Sequence, residues 1–466
     1  MRHTSSSDGT KLDVTHLLSL LHGIQHRGRD SWGVASVERG TIAGQVRLGK
    51  LPAPEIRIKP RVIDTAIGHV GERDPAYAAV TQTDGQPVLA NSPRGPFAIA
   101  FNGRLGASPG PEGAIDAQTI TLGLATHPSP NWEVALQAVA AQLQAAFCIT
   151  VLTEHGVYYV RDSRGYRPLV TAILGCPAPS GATDTIVCRI VASERNSVEA
   201  LQEKLRATGH GGLSVACVPV AAGTVGFLGC DGSHREWRVE AATEDLQRCT
   251  MEAVAFMATC GKFDGLELDY FRDECGRELA RLDRAAGVVF DYANTLVLGY
   301  PGSGVAAGRG YAASACLLYS QVLVKPSGHK ASGVTLRASR RPSTLTRRAG
   351  LRPLKALAAD VEGKTVIVVD DTIVTAGPIK QAVQLLMSSG ATSVHVRIAS
   401  PAVVAKCRWG VVFPDIEDIF AARKAPTAKR IKAVSLVYLP MVSLKRLTGE
   451  GFCTGCLEQL DSAPKP

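Results

Sequence analysis

Two adjacent carboxylates, Asp370 and Asp371, follow four apolar residues, Val366 to Val369, in the string VIVVDDTIVTAG. The apolar run predicts a buried strand. A loop rich in Thr and Gly comes next, and a helix is predicted from about Pro378. In open α/β sheets ligands bind at the carboxyl ends of the strands, and the free N–H groups of a helix N-terminus attract phosphate. Carboxylates at the same spot oppose phosphate and accept hydrogen bonds from hydroxyls instead. A sugar phosphate satisfies both demands.

The residues before this motif carry a matching charge. From Ala293 to Ala359 there is no Asp or Glu, yet the stretch holds Arg309, Lys325, Lys330, Arg337, Arg340, Arg341, Arg347, Arg348, Arg352 and Lys355. Acid-free basic surface attracts anions. A solvated loop, a nucleic-acid patch and a site for a small polyphosphate are the three readings. The neighbouring acid–loop–helix motif selects the third, so no nucleic-acid partner is expected. The sequence also has twelve cysteines. In a cytosolic chain a disulfide framework is not expected. Most should be buried small hydrophobes, leaving a few as candidate metal ligands.

The elements that must position these groups differ between the two halves. The first half has a helical apolar pattern over residues 12–23. The short apolar runs VASV, AIGHV, PFAIAF, AAFCITVLTE, GVYYVRD and TIVCRIVAS follow, separated by turn residues, with a helix predicted from Glu133 to Gln144. This is an antiparallel, sheet-rich pattern. In the second half ELDYFRDECGRELARLDR predicts an amphipathic helix, and VVFDYANTLVLGYPGSG a helix or strand ending in a Gly-rich turn. KTVIVVDDTIVTAGPIKQAVQLLMSSGATSVHVRIAS predicts one βαβ unit of a parallel sheet. With 466 residues, 45% hydrophobic and 20% charged, the chain suits two or three globular domains. The polar start MRHTSSSDGTKLDV does not read as a signal peptide, and no apolar run reaches the roughly 20 residues of a membrane span. The cytoplasm is the expected location, with no membrane partner.

The string VIVVDDTIVTAG resembles the signature of type I phosphoribosyltransferases. That resemblance implies that Asp370 and Asp371 contact ribose hydroxyls, while Thr372, Thr375 and Gly377 hold a 5-phosphate. GYPGSG resembles the family's PDSG pyrophosphate loop, with Gly302 in place of its acid. RPSTLTRRAGLRPLKALAADVEGK resembles the segment that carries the family's phosphate-binding Arg and Lys, here Arg347 and Lys355. Lys325 precedes a closing loop that matches less well. Where relatives have a Gly followed by two Thr, this chain has Ala376, Gly377 and Pro378. Proline removes one N–H donor, though it is tolerated at a first helical position.

The first half resembles the class II glutamine amidotransferases. LHGIQHRGRDSWGVAS, AIGHV, FAIAFNGRL, AIDAQT, VYYVRDSRGYRPLV and VASE follow one another in the order of that family's segments. Together with the phosphoribosyl motif they resemble glutamine phosphoribosylpyrophosphate amidotransferases over nearly the whole chain. The implied fold is an α+β N-terminal class II glutamine amidotransferase domain of Ntn type, layered αββα, followed by an α/β type I phosphoribosyltransferase domain. The boundary is expected at 235/236, giving domains 1–235 and 236–466, the second with a cysteine-containing tail.

Class II glutaminases use an N-terminal Cys, whose thiolate attacks the glutamine amide while its α-amine serves as base. In the family it opens an apolar strand of the type CGIVGI. Here MRHTSSSDG stands in its place. Processing to Thr4 or Ser5, and a coding start upstream of Met1, are the alternatives to a missing nucleophile. Cys148 lies inside the apolar run AAFCITVL and is no substitute. Asn102 and Gly103 match the oxyanion donors. Asp116 matches the acid that holds the substrate amine, and the family's carboxylate-binding Arg falls on Gly71. The glutamine site is therefore expected to be vestigial.

One branch of the family holds a [4Fe–4S] cluster on four cysteines, and Cys249, Cys407 and the pair Cys453 and Cys456 match those positions. Thiolates suit soft metals, with zinc the chemical runner-up. The resemblance thus implies an enzyme that binds phosphoribosyl pyrophosphate with Mg²⁺ and transfers an amine, ammonia rather than glutamine nitrogen, to the anomeric carbon. Lys325, Arg347 and Lys355 would neutralise the pyrophosphate. A homo-oligomer is compatible with it. The alternative is a non-catalytic paralogue that pairs with a true amidotransferase, which Gly302 and the altered loop favour.

Overall fold

Residues that alternate between two apolar environments build the centre of the C-terminal half. Val366, Ile367, Val368 and Val369 are all fully buried. Successive strand residues point to opposite faces, so Val366 and Val368 enter one core while Ile367 and Val369 enter another. A strand buried on both faces belongs in the middle of a parallel sheet covered by helices on each side. The computed structural model describes residues 13–38, 40–52, 63–72, 85–105, 116–143, 145–176, 185–209, 212–239, 245–324, 354–356, 360–407, 409, 416–422 and 424–458. It divides into two compact units, Met1–Arg248 and Cys249–Pro466. A boundary at 235/236 would cut the strand His234–Arg238, which pairs antiparallel with Thr224–Gly229. Hydrogen bonding keeps that hairpin whole, and the division falls further along the chain.

In the C-terminal unit five parallel strands lie in the order Leu318–Tyr319, Thr295–Gly299, Thr365–Asp370, Ser393–Ile398, Ser435–Tyr438. Helix Gly377–Ser388 covers one face through Ile379, Ala382, Val383 and Leu386. Helices Leu268–Ala285 and Val305–Ala315 cover the other through Phe271, Cys275, Leu279, Ala307 and Tyr311. Burying each such aliphatic side chain contributes about 1.5–3 kcal/mol. From Thr295–Gly299 the chain crosses to Leu318–Tyr319 on one side, and the later strand Thr365–Asp370 lies on the other. The strand order reverses at that point, where ligands bind in open α/β sheets.

Among the described residues of the N-terminal unit every strand pairing is antiparallel. A six-stranded sheet runs His234–Arg238, Thr224–Gly229, Gly156–Arg161, Ala146–Thr153, Gly95–Arg104, Val88–Ser92. Helices Asp116–Thr126 and Trp132–Gln142 pack on one face of it through Ile120, Leu124 and Leu136. Its other face meets a second layer through Ala98, Ala100, Leu152 and Val157, opposite Ala35, Val37 and Ile67. That second layer consists of two three-stranded sheets, Thr41–Leu48/Ser31–Glu38/Thr65–Gly71 and Ser214–Pro219/Val170–Cys176/Thr185–Ala192. Helices Val14–Gly23 and Arg195–Ala207 close its outer side and share a core with both halves. The layering is helix, sheet, sheet, helix, the αββα order expected from the sequence. Among the described residues no helix is long and apolar enough to cross a membrane.

Candidate functional site

The strand Thr365–Asp370 delivers both acids to the crevice at the reversal point. Asp370 and Asp371 are 1% and 3% exposed. The backbone N–H of Asp371 donates to Asp370 Oδ1 at 2.9 Å, and that of Thr372 donates to Asp371 Oδ1. Asp371 Oδ2 and Thr372 Oγ1 are buried with no hydrogen-bond partner. Burial pushes the Asp371 carboxyl up to about 6, against the opposing pull of the Arg272 guanidinium and hydrogen bonds from Ser303 and the Thr372 amide. Arg272 is itself buried and is held by the carbonyls of Ala253 and Met257, each at 2.9 Å.

The neighbouring strand contributes the turn Tyr300–Gly304. The Tyr300 N–H donates to the Val369 carbonyl at 2.7 Å, which binds this turn to the strand that carries the acids. Gly304 packs so closely that a Cβ there would collide with the same carbonyl. Gly302 has φ +104°, a conformation open to glycine and strained for other residues. The position that carries an acid in the resembling loop is therefore, in this backbone, a glycine position. Ser303 Oγ lies 3.4 Å from Asp370 Oδ1. Sequence reading singled out Gly302 and missed Ser303. The signal was present, since parallel pairing of the two strands places the residues after each one side by side.

After the acids the loop runs into helix Gly377–Ser388, with proline in its first turn. Its N-cap, Ala376, has helical backbone angles and no side-chain cap. Thr375 is buried beside it. The helix thus opens with uncapped N–H groups at the crevice, one fewer for Pro378, an arrangement suited to an anion. The structure places Asp370, Asp371, Thr372, Thr375 and Gly377 along this strand–loop–helix segment. Lys325 and Arg347 lie outside the described residues. For Lys355 only the backbone is described: it pairs with Val324 in the short ladder Leu323–Val324/Lys355–Ala356.

In the N-terminal unit Asn102 and Gly103 end the strand Gly95–Arg104, and Asp116 opens the helix Asp116–Thr126. Asp116 Oδ2 accepts the N–H of Leu105 at 3.0 Å, so the three candidate residues are gathered at one end of the sheet. Asn102 is paired directly opposite Cys148. Burial pushes that thiol up to about 12, with Arg161 the main opposing charge, so it holds its proton at neutral pH. At Gly71 an added Cβ would lie 2.5 Å from the Ser31 hydroxyl, which would have to turn away to admit it. The HRG turn is fastened from below: Glu194, fully buried, accepts from Arg27 Nη1 at 2.6 Å and stands 2.8 Å from His26 Nε2. Arg161, also fully buried, donates to the carbonyls of Gly165 at 3.0 Å and Arg167 at 2.8 Å, which shapes the RDSRGYRPL turn. Both motifs are used as architecture.

The four candidate metal-binding thiols converge in the C-terminal unit. Strand Phe452–Cys453 pairs with the segment ending at Cys249. The Cys456 carbonyl accepts the N–H groups of Val404 and Ala405, just before Cys407. Burial raises the Cys456 thiol well above its usual range, and Cys249, Cys407 and Cys453 each add to the rise. No group of three or more Cys, His, Asp or Glu among the described residues closes into a metal-binding shell. The thiols are therefore gathered around one region without a closed geometry. Their softness and number fit a thiolate-bound metal centre.

Comparison with known proteins now bears on both units. An amidophosphoribosyltransferase of Synechocystis is 28% identical over 463 residues, covering 94% of this chain and 85% of the cyanobacterial protein. That of Drosophila melanogaster is 27% identical, covering 96% and 85%. The chain is homologous to the amidophosphoribosyltransferases. No protein-family model matches it. Among solved structures, the glutamine phosphoribosylpyrophosphate amidotransferase of B. subtilis, complexed with ADP and GMP, superposes with a TM-score of 0.76 at 22% identity, covering 98% of this chain and 97% of the other. A structure described as the allosteric regulatory enzyme of purine biosynthesis gives the same score and identity over 95% and 92%. This amidophosphoribosyltransferase homologue thus has the Ntn-type amidotransferase fold followed by the type I phosphoribosyltransferase fold.

Proposed function

We propose that the chain transfers an amine, supplied as free ammonia, to the anomeric carbon of phosphoribosyl pyrophosphate, releasing pyrophosphate in purine or a related nucleotide pathway. One observation carries this reading: the acid pair sits at the strand-order reversal with Asp371 Oδ2 and Thr372 Oγ1 buried and unpartnered. Leaving such a group unsatisfied costs about 1–3 kcal/mol. Ribose hydroxyls would supply the missing donors, and the uncapped start of Gly377–Ser388 would take the 5-phosphate. The lone pair of ammonia forms the new C–N bond. The bond from C1 to the pyrophosphate oxygen breaks, and the oxygen keeps the electron pair. A proton from the nitrogen passes to solvent. Asp370 and Asp371 stabilise the positive charge that develops on the sugar. Lys325, Arg347 and Lys355 would neutralise the leaving group, and Mg²⁺ bound with the substrate would supply further positive charge there.

Two features argue against glutamine as the nitrogen source. Asn102 lies directly opposite Cys148. Its buried thiol keeps its proton. Gly71 stands where the resembling family has its carboxylate-binding Arg. Cys249, Cys407, Cys453 and Cys456 would hold a [4Fe–4S] centre, whose contribution is to staple the segments that carry them, with zinc as the alternative occupant. The activity needs soluble nucleotide precursors, which suits a cytoplasmic protein, and a homo-oligomer is compatible with it. Gly302 and Pro378 favour a second reading, a paralogue that binds phosphoribosyl pyrophosphate without turnover. Incubation with phosphoribosyl pyrophosphate, Mg²⁺ and ammonium separates them. Release of pyrophosphate supports transfer, while saturable binding without release supports the second reading.

A further inference from the structure

The hairpin at one edge of the six-stranded sheet gathers three polar side chains that belong to neither site described above. Its turn is fixed by the Gly229 N–H, which donates to the Ser233 carbonyl at 2.9 Å, and by Gly232 at φ +89°. Strand His234–Arg238 then pairs with Thr224–Gly229, with His234 opposite Leu228 and Glu236 opposite Gly226. Alternate residues of a strand share a face, so His234 and Glu236 project together. Arg235 and Trp237 take the other face, where the Arg235 guanidinium lies over the Phe227 and Trp237 rings. On its other side Gly226 pairs opposite Tyr159. A Cβ at Gly226 would lie 2.0 Å from Tyr159 Cζ. The missing side chain lets the fully buried Tyr159 ring cross the middle strand and carry its hydroxyl to the outer one.

Tyr159 Oη lies 2.8 Å from His234 Nε2 and donates to Glu236 Oε1 at 2.5 Å, while the imidazole nitrogen and the carboxylate oxygen are 3.5 Å apart. The three atoms close a triangle. A structural tyrosine needs one acceptor for its proton; a His and a Glu two residues apart, both converging on the same oxygen, exceed that need. Metal–ligand bonds of about 2.0–2.2 Å set neighbouring ligand atoms roughly 2.8–3.6 Å apart. Two sides of the triangle meet this span. The third is bridged by the phenol proton and lengthens when a cation takes that proton's place. Burial and the Glu236 carboxylate both push the Tyr159 hydroxyl well above its usual range, so negative charge is concentrated beside it and a cation there is favoured. The His234 and Glu236 side chains are 31% and 42% exposed, which leaves the triangle open to an ion and to water. Imidazole, carboxylate and phenol without a thiol suit ions such as Zn²⁺ or Co²⁺.

We propose that His234 Nε2, Glu236 Oε1 and Tyr159 Oη form a solvent-accessible site for a divalent transition-metal ion, with water completing its shell. The proposal is independent of the phosphoribosyl reading and of the four-cysteine cluster, both of which concern the other unit. Titration of the full chain with Co²⁺, followed by absorption, tests it. Thiolate ligands give Co²⁺ a charge-transfer band in the near ultraviolet and nitrogen and oxygen ligands do not, so an ion held here is distinguishable from one held by cysteines. The wild-type protein should bind Co²⁺ without that band, and Zn²⁺ should displace it. Cys453→Ser should keep this binding. His234→Ala, Glu236→Gln and Tyr159→Phe should each weaken it about 10–100-fold, the loss typical when a group that holds or orients a metal ligand is removed. Circular dichroism of the metal-free protein should stay native in all three. Zn²⁺ should raise the Tm of the wild type and not that of His234→Ala, because only a folded site binds the ion. Absence of a thiolate-free Co²⁺ spectrum overturns the proposal, as does wild-type affinity in any of the three variants.

Discussion

Burial alone would raise the Asp371 carboxyl further than about 6; Arg272 and the hydrogen bonds to it hold it there. Its pKa in the folded chain lies above the ordinary 3.8, so the native state binds the extra proton between about pH 4 and pH 6. The stability this group contributes is complete below pH 3.8 and is lost as pH rises through about 6. Ligand binding should run the other way, because ribose hydroxyls donate to the ionised form. Affinity for phosphoribosyl pyrophosphate, followed by calorimetry from pH 5 to pH 7, should rise several-fold, and Asp371→Asn should flatten that rise. Asp370→Asn and Asp371→Asn should each slow ammonia-dependent transfer about 10²–10³-fold, the loss expected when one charge-stabilising group is removed. Circular dichroism should remain native in both. Wild-type rates in both variants would remove the pair from the site. At this scale the sequence was informative for the acids and the Thr–Gly loop, because one contiguous segment supplies them. It did not reveal Ser303, Arg272 or the Ser31 hydroxyl at Gly71. Those contacts join residues distant in sequence, or depend on where a side chain points.

At the scale of elements, the turn Tyr300–Gly304 and the helix after the acids form the crevice. Gly302→Asp would restore the acid of the resembling loop but place a side chain at φ +104°. The cost of such strain is about 1–3 kcal/mol, so the variant should lower the midpoint of urea unfolding rather than raise activity. An active variant of unchanged stability would show that the loop readily adopts another conformation. Behind the crevice Arg397 donates to Asp283 Oδ2 at 2.6 Å, with the two side chains 1% and 6% exposed, and Tyr311 donates to the same oxygen. Breaking a buried pair of this kind costs about 3–5 kcal/mol. Asp283→Ala should lose that much in denaturant melts, and a loss under 1 kcal/mol would show that the site relaxes. Cys453→Ser should abolish metal binding to anaerobically purified protein, read by elemental analysis and visible absorption. Wild-type protein should carry about four irons per chain if the centre is [4Fe–4S]. Stoichiometric zinc would keep the ligands and change the metal. Strands and helices were legible because their periodicities are strong. The helix expected from about Pro378 begins at Gly377, and VVFDYANTLVLG resolves into the strand Thr295–Gly299. The grouping of the described outer strands into two three-stranded sheets was not legible, because pairing partners are set by tertiary packing.

For the whole molecule, the two units show different relations between retained scaffold and retained chemistry. The N-terminal unit keeps the αββα layering and the buried Glu194 and Arg161 networks that shape its motif turns. Cys148, opposite Asn102, is buried, and burial pushes its thiol up to about 12. The C-terminal unit keeps its acid pair at the reversal of strand order with polar atoms awaiting partners. The order of the motifs in the sequence matches the order of the two folded units, while the segment with Arg347 lies outside the described residues. The boundary between the units was less legible, because a hairpin strand and a linker look alike in composition. The central claim is that this chain makes the C–N bond at the anomeric carbon with ammonia and not with the amide of glutamine. The direct test supplies the protein with phosphoribosyl pyrophosphate and Mg²⁺, with ¹⁵N-ammonium in one reaction and amide-¹⁵N-glutamine in another, and follows pyrophosphate release and label in the product. The account predicts pyrophosphate and labelled phosphoribosylamine from ammonium, and neither labelled product nor glutamate above background from glutamine. Glutamate formation with label transfer from glutamine, or no pyrophosphate from either donor, would contradict it.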